Sequence, residues 1–309
     1  MRRAVSVNVS VTNAAFQNSL SALVGSPFLN GNQITRLKNG DVFPTMIQAI
    51  AAATNTVTFE NYLWDSGLVS DRFIAALTER ARAGIDVRVI ADWIGSNIDR
   101  KDVRALRKAG VKFNFYNPPR LHRLPALNFR DHHKLLIIDG AIGFVGGVCI
   151  ADAWSGNARK SLEWRDTHFR MEGPVVAQLQ AAFAANWLKT EGEILFGERF
   201  FPALDARGDA TAQAFHSSPE GARENTRLVF LSAIAAARKN IRIAHSYFVP
   251  GDLSIEALTE ARRRGVQVEI IGPSVIDATM VRHAGRSLWP KLLRAGVEIY
   301  EYVPAMYHC

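Results

Sequence analysis

Residues 129–140 read Phe-Arg-Asp-His-His-Lys-Leu-Leu-Ile-Ile-Asp-Gly and contain the pattern His-x-Lys-x-x-x-x-Asp. The apolar run predicts a β-strand, and side chains two residues apart in an extended segment point to the same face. His132 and Lys134 then pair a nucleophile or proton carrier with a fixed positive charge. Asp139 lies on the opposite face, and Asp139-Gly140 is typical of a tight hairpin turn. We therefore interpret His132 and Lys134 as chemical groups and Asp139 as a structural anchor.

A second informative feature is an internal repeat. Three short stretches in the first half of the chain have counterparts in the second half, in the same order. The pairs are 49–53 with 233–237, 76–79 with 257–260, and 107–111 with 293–297, at offsets of 184, 181 and 186 residues. Offsets this similar indicate one duplicated unit with small insertions. Because the period has the size of a domain, the sequence predicts two homologous domains and not a solenoid.

The repeat also predicts domain boundaries and a second motif histidine. We expect an irregular or weakly amphipathic leader over residues 1–30, a first domain over 31–205 and a second domain over 206–309. The counterpart of His132 falls on His308, and the sequence ends one residue later. From this we expect a chain that is truncated at its C-terminus, with a second domain that stops at its motif histidine and lacks the following Lys and Asp.

Composition limits the possible functions. The chain has 309 residues, a hydrophobic content of 48%, a net charge of +8 and a pI near 9.7. This size suits two globular domains, and the basic balance suits nucleic acid or an anionic lipid surface without choosing between them. Two cysteines without metal-ligand spacing predict neither a disulfide framework nor a zinc site, and they favour a reducing setting. No stretch has the roughly 20 predominantly apolar residues of a transmembrane helix.

Helix and strand patterns alternate along the first half of the chain. We expect helices at 42–53, 71–83, 101–109 and 174–188, and strands at 57–63, 87–93, 111–116, 142–148 and 164–171, besides the motif strand. The proline-containing segment 117–128 predicts a loop, and the composition of 191–226 is typical of an inter-domain region. This alternation predicts an α/β fold with layers of helices on a sheet.

Two histidines can cleave a phosphodiester without a metal ion. One imidazole attacks phosphorus and the other protonates the leaving oxygen, roles that a pKa of roughly 6.5 allows near neutrality. Lysines on the same strands neutralise the charge that develops on the non-bridging oxygens. The attacking imidazole needs a carboxylate on its other nitrogen, and Asp166, in Trp-Arg-Asp-Thr-His at 164–168, is our candidate. The alternative is an ordinary surface ion pair between Arg165 and Asp166.

Three glycines follow the motif, at Gly143, Gly146 and Gly147. Glycine allows the backbone to come close to a phosphate, so we predict that Gly146 and Gly147 lie next to it. A bulged or sharply bent strand explains the same glycines equally well.

Together these segments resemble the phospholipase D superfamily, and most of all the bacterial cardiolipin synthases that lack transmembrane helices. The resemblance covers about residues 28–309 and rests on the motif, the Gly-Gly segment, residues 164–168 and the duplication. Further similar pieces are at 91–96, 172–176 and 246–250. It implies two homologous α/β domains, each a mixed β-sheet flanked by helices. The domains would face each other across a pseudo-twofold axis and supply one motif each to a shared active site.

The resemblance also implies a reaction through a phosphatidyl-histidine intermediate. The phosphatidyl group would pass from phosphatidylglycerol to a second lipid alcohol, with no metal ion and no cofactor. At matching positions, the resemblance assigns catalysis and phosphate binding to His132 and Lys134, a structural role to Asp139, orientation to Asp166 and the second histidine to His308. The family pattern usually has Asn where this chain has Cys149, which puts an amide contact to phosphate in doubt. Because the second Lys and Asp are missing, we expect the 309-residue chain to be inactive by itself.

Three functions are compatible with these observations. The first is a transferase that acts on phosphatidylglycerol and binds peripherally to the anionic cytoplasmic face of the bacterial cell membrane. The second is a phospholipase D-like hydrolase or a nuclease, and nucleic acid is the less favoured substrate because the flanking segments resemble the lipid group. The third is a non-catalytic remnant that binds anionic lipid. Either histidine can be the attacking one, and water can compete with the acceptor alcohol.

Overall fold

The computed structural model describes residues 5–119, 129–217 and 224–309, which form two compact units. The first unit comprises Leu29–Asn157 and Asp166–Ala214. The second unit comprises Phe215–Cys309, Ala158–Arg165 and the described part of Met1–Phe28. Most of the predicted loop at 117–128 lies outside the described residues.

The first unit is built on one large sheet. Its strands, numbered in chain order through both units, are β1 (Leu29–Lys38), β2 (Thr56–Asn61), β3 (Asp86–Asp92), β4 (Lys112–Tyr116), β5 (Lys134–Ile138), β6 (Ile142–Gly146), β8 (Thr167–Glu172) and β9 (Ala210–Ala212). Its helices are α2 (Val42–Ala51), α3 (Leu68–Arg82), α4 (Arg100–Lys108) and α5 (Val175–Glu191). The eight strands lie in the order β4-β3-β2-β5-β6-β8-β1-β9.

This sheet is mixed. The strands β2, β3 and β4 are parallel, as helix crossovers require, whereas β5 pairs antiparallel with β2 and then with β6 through a tight turn. Helices cover the strands, and the prediction of a mixed α/β fold is confirmed. The prediction that a second domain is incomplete stays a prediction, as do the domain boundaries drawn from the repeat.

Strand β2 is an interior strand of this sheet, and all six of its residues are buried. Its side chains alternate between two layers. Phe59 stacks on Phe73 of α3 with ring centroids 5.7 Å apart, whereas the Thr58 hydroxyl lies 3.1 Å from Gln180 Oε1 of α5 and donates to it. The sheet therefore has helices on both faces, and the motif strand β5 lies beside this buried strand.

The second unit contains a smaller sheet and an additional strand pair. Its elements are α1 (Ala14–Val24), β7 (Trp164–Arg165), α6 (Asn225–Ala236), β10 (Asn240–Ala244), α7 (Asp252–Arg263), β11 (Gln267–Pro273), α8 (Thr279–Arg294), β12 (Glu298–Tyr302) and β13 (Met306–Tyr307). The parallel strands lie in the order β10-β11-β12, and β13 pairs in parallel with β7.

Two elements differ from the sequence-based expectations. The expected leader contains helix α1, which begins after Asn13, whose side chain accepts a hydrogen bond from the backbone of Ala15, and ends at Gly25 with φ of 69°. The expected strand at 164–171 is two strands, β7 and β8, which pair in different sheets, and the break between them is at Asp166. Its backbone N–H donates to Asn39 Oδ1 at 3.1 Å instead.

Candidate active site

Strand β5 places the motif at the end of the central strands. Its apolar residues Leu135–Ile138 are buried, and Lys134 at its start pairs with Asn61 at the end of β2. His132 lies two residues before the strand begins and is exposed. The expectation that one strand holds both chemical groups therefore needs correction: Lys134 is part of the sheet, and His132 belongs to the segment that leads into it.

Tyr62 brings the two groups to one place. The rings of His132 and Tyr62 have their centroids 4.5 Å apart, and Lys134 Nζ lies 4.8 Å from the Tyr62 centroid. The ammonium group also donates a hydrogen bond of 2.9 Å to the backbone oxygen of His132. An imidazole and an ammonium group thus share one aromatic neighbour.

The charge of Lys134 is held in a buried position. Loss of solvent lowers the pKa of its ammonium group, and the nearby Cys149, Asp131, Asp166 and Asp92 act in the opposite direction. A buried cation is stabilised by a compensating anion, and a phosphate group beside it would supply that compensation.

Asp166 is completely buried. Its Oδ2 accepts a hydrogen bond of 2.9 Å from Trp154 Nε1, and its Oδ1 accepts one of 2.7 Å from the backbone N–H of Thr167. The alternative of an exposed surface ion pair does not fit a carboxylate in this position. The negative charge of Asp166 acts to raise the pKa of the motif residue Lys134, so the two side chains interact electrostatically.

The glycines after the motif allow a close approach between strands. A Cβ atom at Gly147 would overlap the carboxylate of Asp166, and one at Gly146 would overlap the backbone of His168. The Gly147 N–H donates to the backbone oxygen of Thr167 at 3.0 Å. Close packing against β8 and Asp166 therefore explains why both positions are glycine. That Gly146 and Gly147 lie next to a phosphate stays a prediction.

Asp139 lies in the turn between β5 and β6, where its φ of 53° is left-handed and that of Gly140 is 65°. Its carboxylate accepts hydrogen bonds from the backbone of Thr54, Asn55 and Thr56 at 2.7 to 2.9 Å, and from the Thr54 hydroxyl at 2.8 Å. These bonds tie the hairpin to the loop that precedes β2. This geometry suits the role of a structural anchor.

His308 lies in the second unit, directly after β13. Its backbone N–H donates to the backbone oxygen of Arg165 at 2.8 Å, and its ring centroid is 5.1 Å from that of Trp164. The ring of Tyr247 lies 6.2 Å away and nearly perpendicular. The second predicted histidine is therefore held between aromatic rings on the short β7–β13 pair.

Two further groups near the motif are inert. His168 of β8 is fully buried, neither ring nitrogen has a hydrogen-bond partner among the described residues, and burial lowers its pKa to about 3. Burial also raises the pKa of the Cys149 thiol to about 11, so that this residue is a packed thiol and not a nucleophile.

A polar cluster behind the motif was not predicted from the sequence. Ligand-type atoms of Glu60, Asp131 and His133 lie within 4.8 Å of one another, and Asn186 of α5 contacts all three. In the described part of the chain, only these three residues form a group of the size and type that binds a metal ion. The available sequence signal was an acidic residue, Glu60, in a strand whose other residues are uncharged.

Comparisons with known proteins identify the family of this chain. The sequence profile of the family described as cardiolipin synthase, PLD-like domain, matches residues 46–187 and 230–309. The chain therefore belongs to this family, and the predicted membership in the phospholipase D superfamily is confirmed.

Individual relatives give the same result. A cardiolipin synthase of Alkalihalophilus pseudofirmus is 34% identical over 272 residues, which are 87% of this chain and 54% of the relative. A probable cardiolipin synthase of Bacillus subtilis is 32% identical over 90% of this chain and 56% of its own length. The chain thus spans about half the length of the curated relatives it matches.

Among solved structures, phosphatidylserine synthase of Haemophilus influenzae has a similar fold. The TM-score is 0.64 at 12% identity, over 94% of this chain and 79% of that one. A likeness at this identity concerns the fold alone. None of the helices in the described part of the chain has both the length and the apolar composition needed to cross a bilayer.

Proposed function

We propose that this chain provides the site of a phosphatidyltransferase of the cardiolipin synthase type. The observation that supports it most strongly is the meeting of His132 and the buried Lys134 at the ring of Tyr62. Curated relatives of this family are named cardiolipin synthases, which gives the substrate class of the proposal.

In the proposed reaction, an imidazole nitrogen attacks the phosphorus of phosphatidylglycerol and the P–O bond to the glycerol headgroup breaks. The leaving oxygen takes a proton from a second imidazole. A lipid alcohol then attacks the same phosphorus, the P–N bond breaks, and the alcohol proton returns to the second imidazole. His132 and His308 are the two histidines of the proposal, in either order.

The remaining site residues have supporting roles in this proposal. Lys134 neutralises the non-bridging oxygens as negative charge develops on them. Asp166 orients the attacking imidazole, and the absence of a side chain at Gly147 leaves room for the Asp166 carboxylate. The backbone of Gly146 and Gly147 lies next to the phosphate in this proposal. Asp139 holds the hairpin in register with the loop before β2.

We also propose that the protein works as a peripheral enzyme on the cytoplasmic face of a bacterial membrane. The net charge of +8 favours binding to anionic lipid, since each basic residue near such a surface contributes about 1 kcal/mol. The lipid surface would present both the donor phosphatidylglycerol and the acceptor alcohol.

The test is an assay of a chain extended past residue 309, with vesicles that contain labelled phosphatidylglycerol. His132→Ala should lose any turnover, whereas His283→Ala, which changes an exposed histidine on α8, should not. Cardiolipin and glycerol as products would support the transferase, and phosphatidic acid alone would indicate a hydrolase. Cleavage of plasmid DNA without lipid turnover would favour a nuclease, and vesicle binding without any product would favour a lipid-binding remnant.

The same assay on residues 1–309 tests the expectation that this chain is inactive by itself. That expectation stays a prediction. Cardiolipin formation by the 309-residue chain would contradict it and would support the transferase at the same time.

A further inference from the structure

The strongest observation outside the proposed chemistry is the polar cluster on the reverse side of the motif. Asn186 Nδ2 of α5 donates to Glu60 Oε1 of β2 at 2.6 Å. His133 Nδ1 lies 3.3 Å from Glu60 Oε2 and 3.4 Å from Asp131 Oδ1, so that one imidazole nitrogen faces both carboxyl groups. The backbone N–H of His133 also donates to Asp131 Oδ1 at 3.1 Å.

Along residues 131–134, the side chains that belong to the polar cluster alternate with those of the proposed catalytic pair. The side chains of His132 and Lys134 meet at Tyr62, whereas those of Asp131 and His133 meet at Glu60. His132 therefore lies between Asp131 and His133, whose side chains both belong to the cluster around Glu60. Because His132 precedes the strand, the ladder hydrogen bonds of β5 do not fix it, and the cluster contributes to fixing its two neighbours.

The charges of the cluster do not balance if every carboxyl group is ionised. Glu60 is completely buried, and Asp131 is 3% exposed. Asp131 Oδ2 has no hydrogen-bond partner among the described residues, although it is shielded from solvent. Such an atom is costly to bury unless a proton lies between it and a neighbouring acceptor.

The electrostatics of both groups point in the same direction. Burial raises the pKa of Glu60 from 4.5 to about 7, against the opposing effects of Asp131, Asn186 and Lys189. Burial and the neighbouring Glu60 also raise the pKa of Asp131 well above its ordinary value. Two interacting acids of this kind titrate as a pair, and one proton remains after the first is lost.

We propose that Glu60 and Asp131 share one proton at neutral pH and, together with Asn186, act as positioning residues that hold the segment around His132 in place. The shared proton joins the two carboxyl groups, His133 and Asn186 satisfy the remaining oxygens, and loss of the proton would place two negative charges next to each other in a buried site. The catalytic imidazole is then displaced or becomes mobile as the pH rises.

Other charged groups that face the cluster come from three elements. Lys189 of α5 lowers the pKa of both Glu60 and His133. Asp92 at the end of β3 accepts a hydrogen bond of 2.7 Å from the backbone N–H of Asp131. Lys134 of β5 also acts on the cluster, where it lowers the pKa of His133.

The test compares Glu60→Gln with Thr58→Val. Glutamine has the shape of protonated glutamate and can still accept the hydrogen bond from Asn186, whereas the control removes a buried hydrogen bond from the same face of β2 without changing a titratable group. The melting temperature of each protein is measured from about pH 4.5 to pH 8.

The expected pH dependence of stability follows from the direction in which the pKa of Glu60 is shifted. The pKa of Glu60 is raised in the folded state, so its stabilising contribution is present below about 4.5 and is lost as the pH rises through about 7. The wild-type protein and T58V should both lose stability over this interval, and E60Q should lose clearly less. An infrared band of a protonated carboxyl group should be present at neutral pH in wild type and weaker in E60Q.

Several outcomes would overturn the proposal. One is a pH dependence of E60Q equal to that of T58V, together with no protonated carboxyl group in the wild-type spectrum. Another is stabilisation of metal-free wild type, but not of E60Q, by Zn²⁺ or Mn²⁺, because the cluster would then be a cation site. The stability and infrared measurements do not depend on the proposed transferase activity, so a failure of either proposal can be told from a failure of the other.

If the transferase activity is observed, a third measurement concerns positioning directly. E60Q should retain kcat near neutral pH and extend activity to higher pH by about one pH unit or more, since it keeps the neutral form. T58V should leave the shape of the pH profile unchanged. Identical profiles for wild type and E60Q would contradict a positioning role.

Discussion

The two copies of the internal repeat have the same local structure and different surroundings. In the first unit, α2-β2-α3-β3-α4-β4 forms three parallel strands with connecting helices, and α6-β10-α7-β11-α8-β12 forms the same arrangement in the second. The repeat offset of 184 residues aligns β2 with β10, and Phe59 with Ile243. The same alternation of helices and strands therefore forms a three-stranded parallel arrangement in both copies of the repeat.

The difference lies in what covers the equivalent strand. Strand β2 lies between β3 and β5 and is buried at every residue, whereas β10 is an edge strand among the described residues and alternates between exposed and half-buried positions. Position 60 is a buried glutamate in the first copy, and its counterpart in the second copy is the exposed Ala244. The burial of β2 thus depends on its pairing with β5 of the β5–β6 hairpin, in addition to its pairing with β3.

The largest expected difference concerns the equivalent core positions. Phe59→Ala should reduce the free energy of unfolding of the first unit by about 3–5 kcal/mol, because it leaves a cavity beside Phe73 and Trp64. Ile243→Ala in β10 should cost only about 1–2 kcal/mol in the second unit, because this side chain is half-buried. Chemical denaturation of both variants measures the difference.

The matched controls for this pair are Val87→Ala in β3 and Val268→Ala in β11. Both valines are buried on the middle strand of their parallel trio, at 1% and 0% exposure. They should therefore cost similar amounts, about 1–3 kcal/mol each. Equal losses for F59A and I243A, with equal losses for the controls, would show that the hairpin does not distinguish the two copies.

A second prediction concerns the buried imidazole that the first unit encloses. The pKa of His168 is lowered in the folded state to about 3, so its stabilising contribution is present above about 6.5 and is lost as the pH falls toward 3. His168→Leu should remove this loss, which at pH 4.5 amounts to about 2–3 kcal/mol. Urea unfolding at pH 7 and pH 4.5 measures it.

The exposed His283 of the second unit supplies the control. His283→Leu should leave the difference in stability between pH 7 and pH 4.5 as it is in wild type. If H168L is destabilised by acid as strongly as wild type, His168 has access to solvent and the close packing of β8 against β6 is wrong.

The smallest expected effect concerns the attachment of the hairpin. Asp139→Asn keeps a residue that tolerates left-handed backbone and one accepting oxygen, and it should cost about 1 kcal/mol. Asp139→Ala loses the hydrogen bonds to Thr54, Asn55 and Thr56 and should cost about 2–3 kcal/mol. Thermal unfolding of the two variants distinguishes them, and equal values near zero would mean that Asp139 does not anchor the hairpin.

Much of the fold could be predicted from the sequence because it depends on local patterns. The alternation of apolar residues and the repeated short stretches predict the α/β units, and Asp139-Gly140 predicts the tight turn after β5. The break of the strand at Asp166 could not be predicted in this way, since it depends on Asn39 and Trp154, which are distant in sequence.

In the candidate site, too, local sequence patterns could be recognised and contacts between residues distant in sequence could not. His132 and Lys134 were predicted from the spacing of the motif, and Asp166 from its place on a predicted strand shortly after the motif. The contacts of Tyr62 with the motif, and of Glu60 with Asn186, join residues that only the folded sheet brings together. The helix over Ala14–Val24 was missed because it lies in a segment, residues 4–35, that is rich in Ser, Asn and Thr.

The central claim is that His132 and Lys134 hold a lipid phosphodiester. Calorimetric titration of the 309-residue chain with a monomeric short-chain phosphatidylglycerol tests it directly, because binding does not require turnover. Lys134→Met, which keeps the buried side-chain volume and removes the charge, should weaken binding at least about ten-fold, the equivalent of one charge-assisted hydrogen bond. His283→Ala should bind as wild type does. Equal affinities for wild type and K134M, with both proteins folded, would contradict the account.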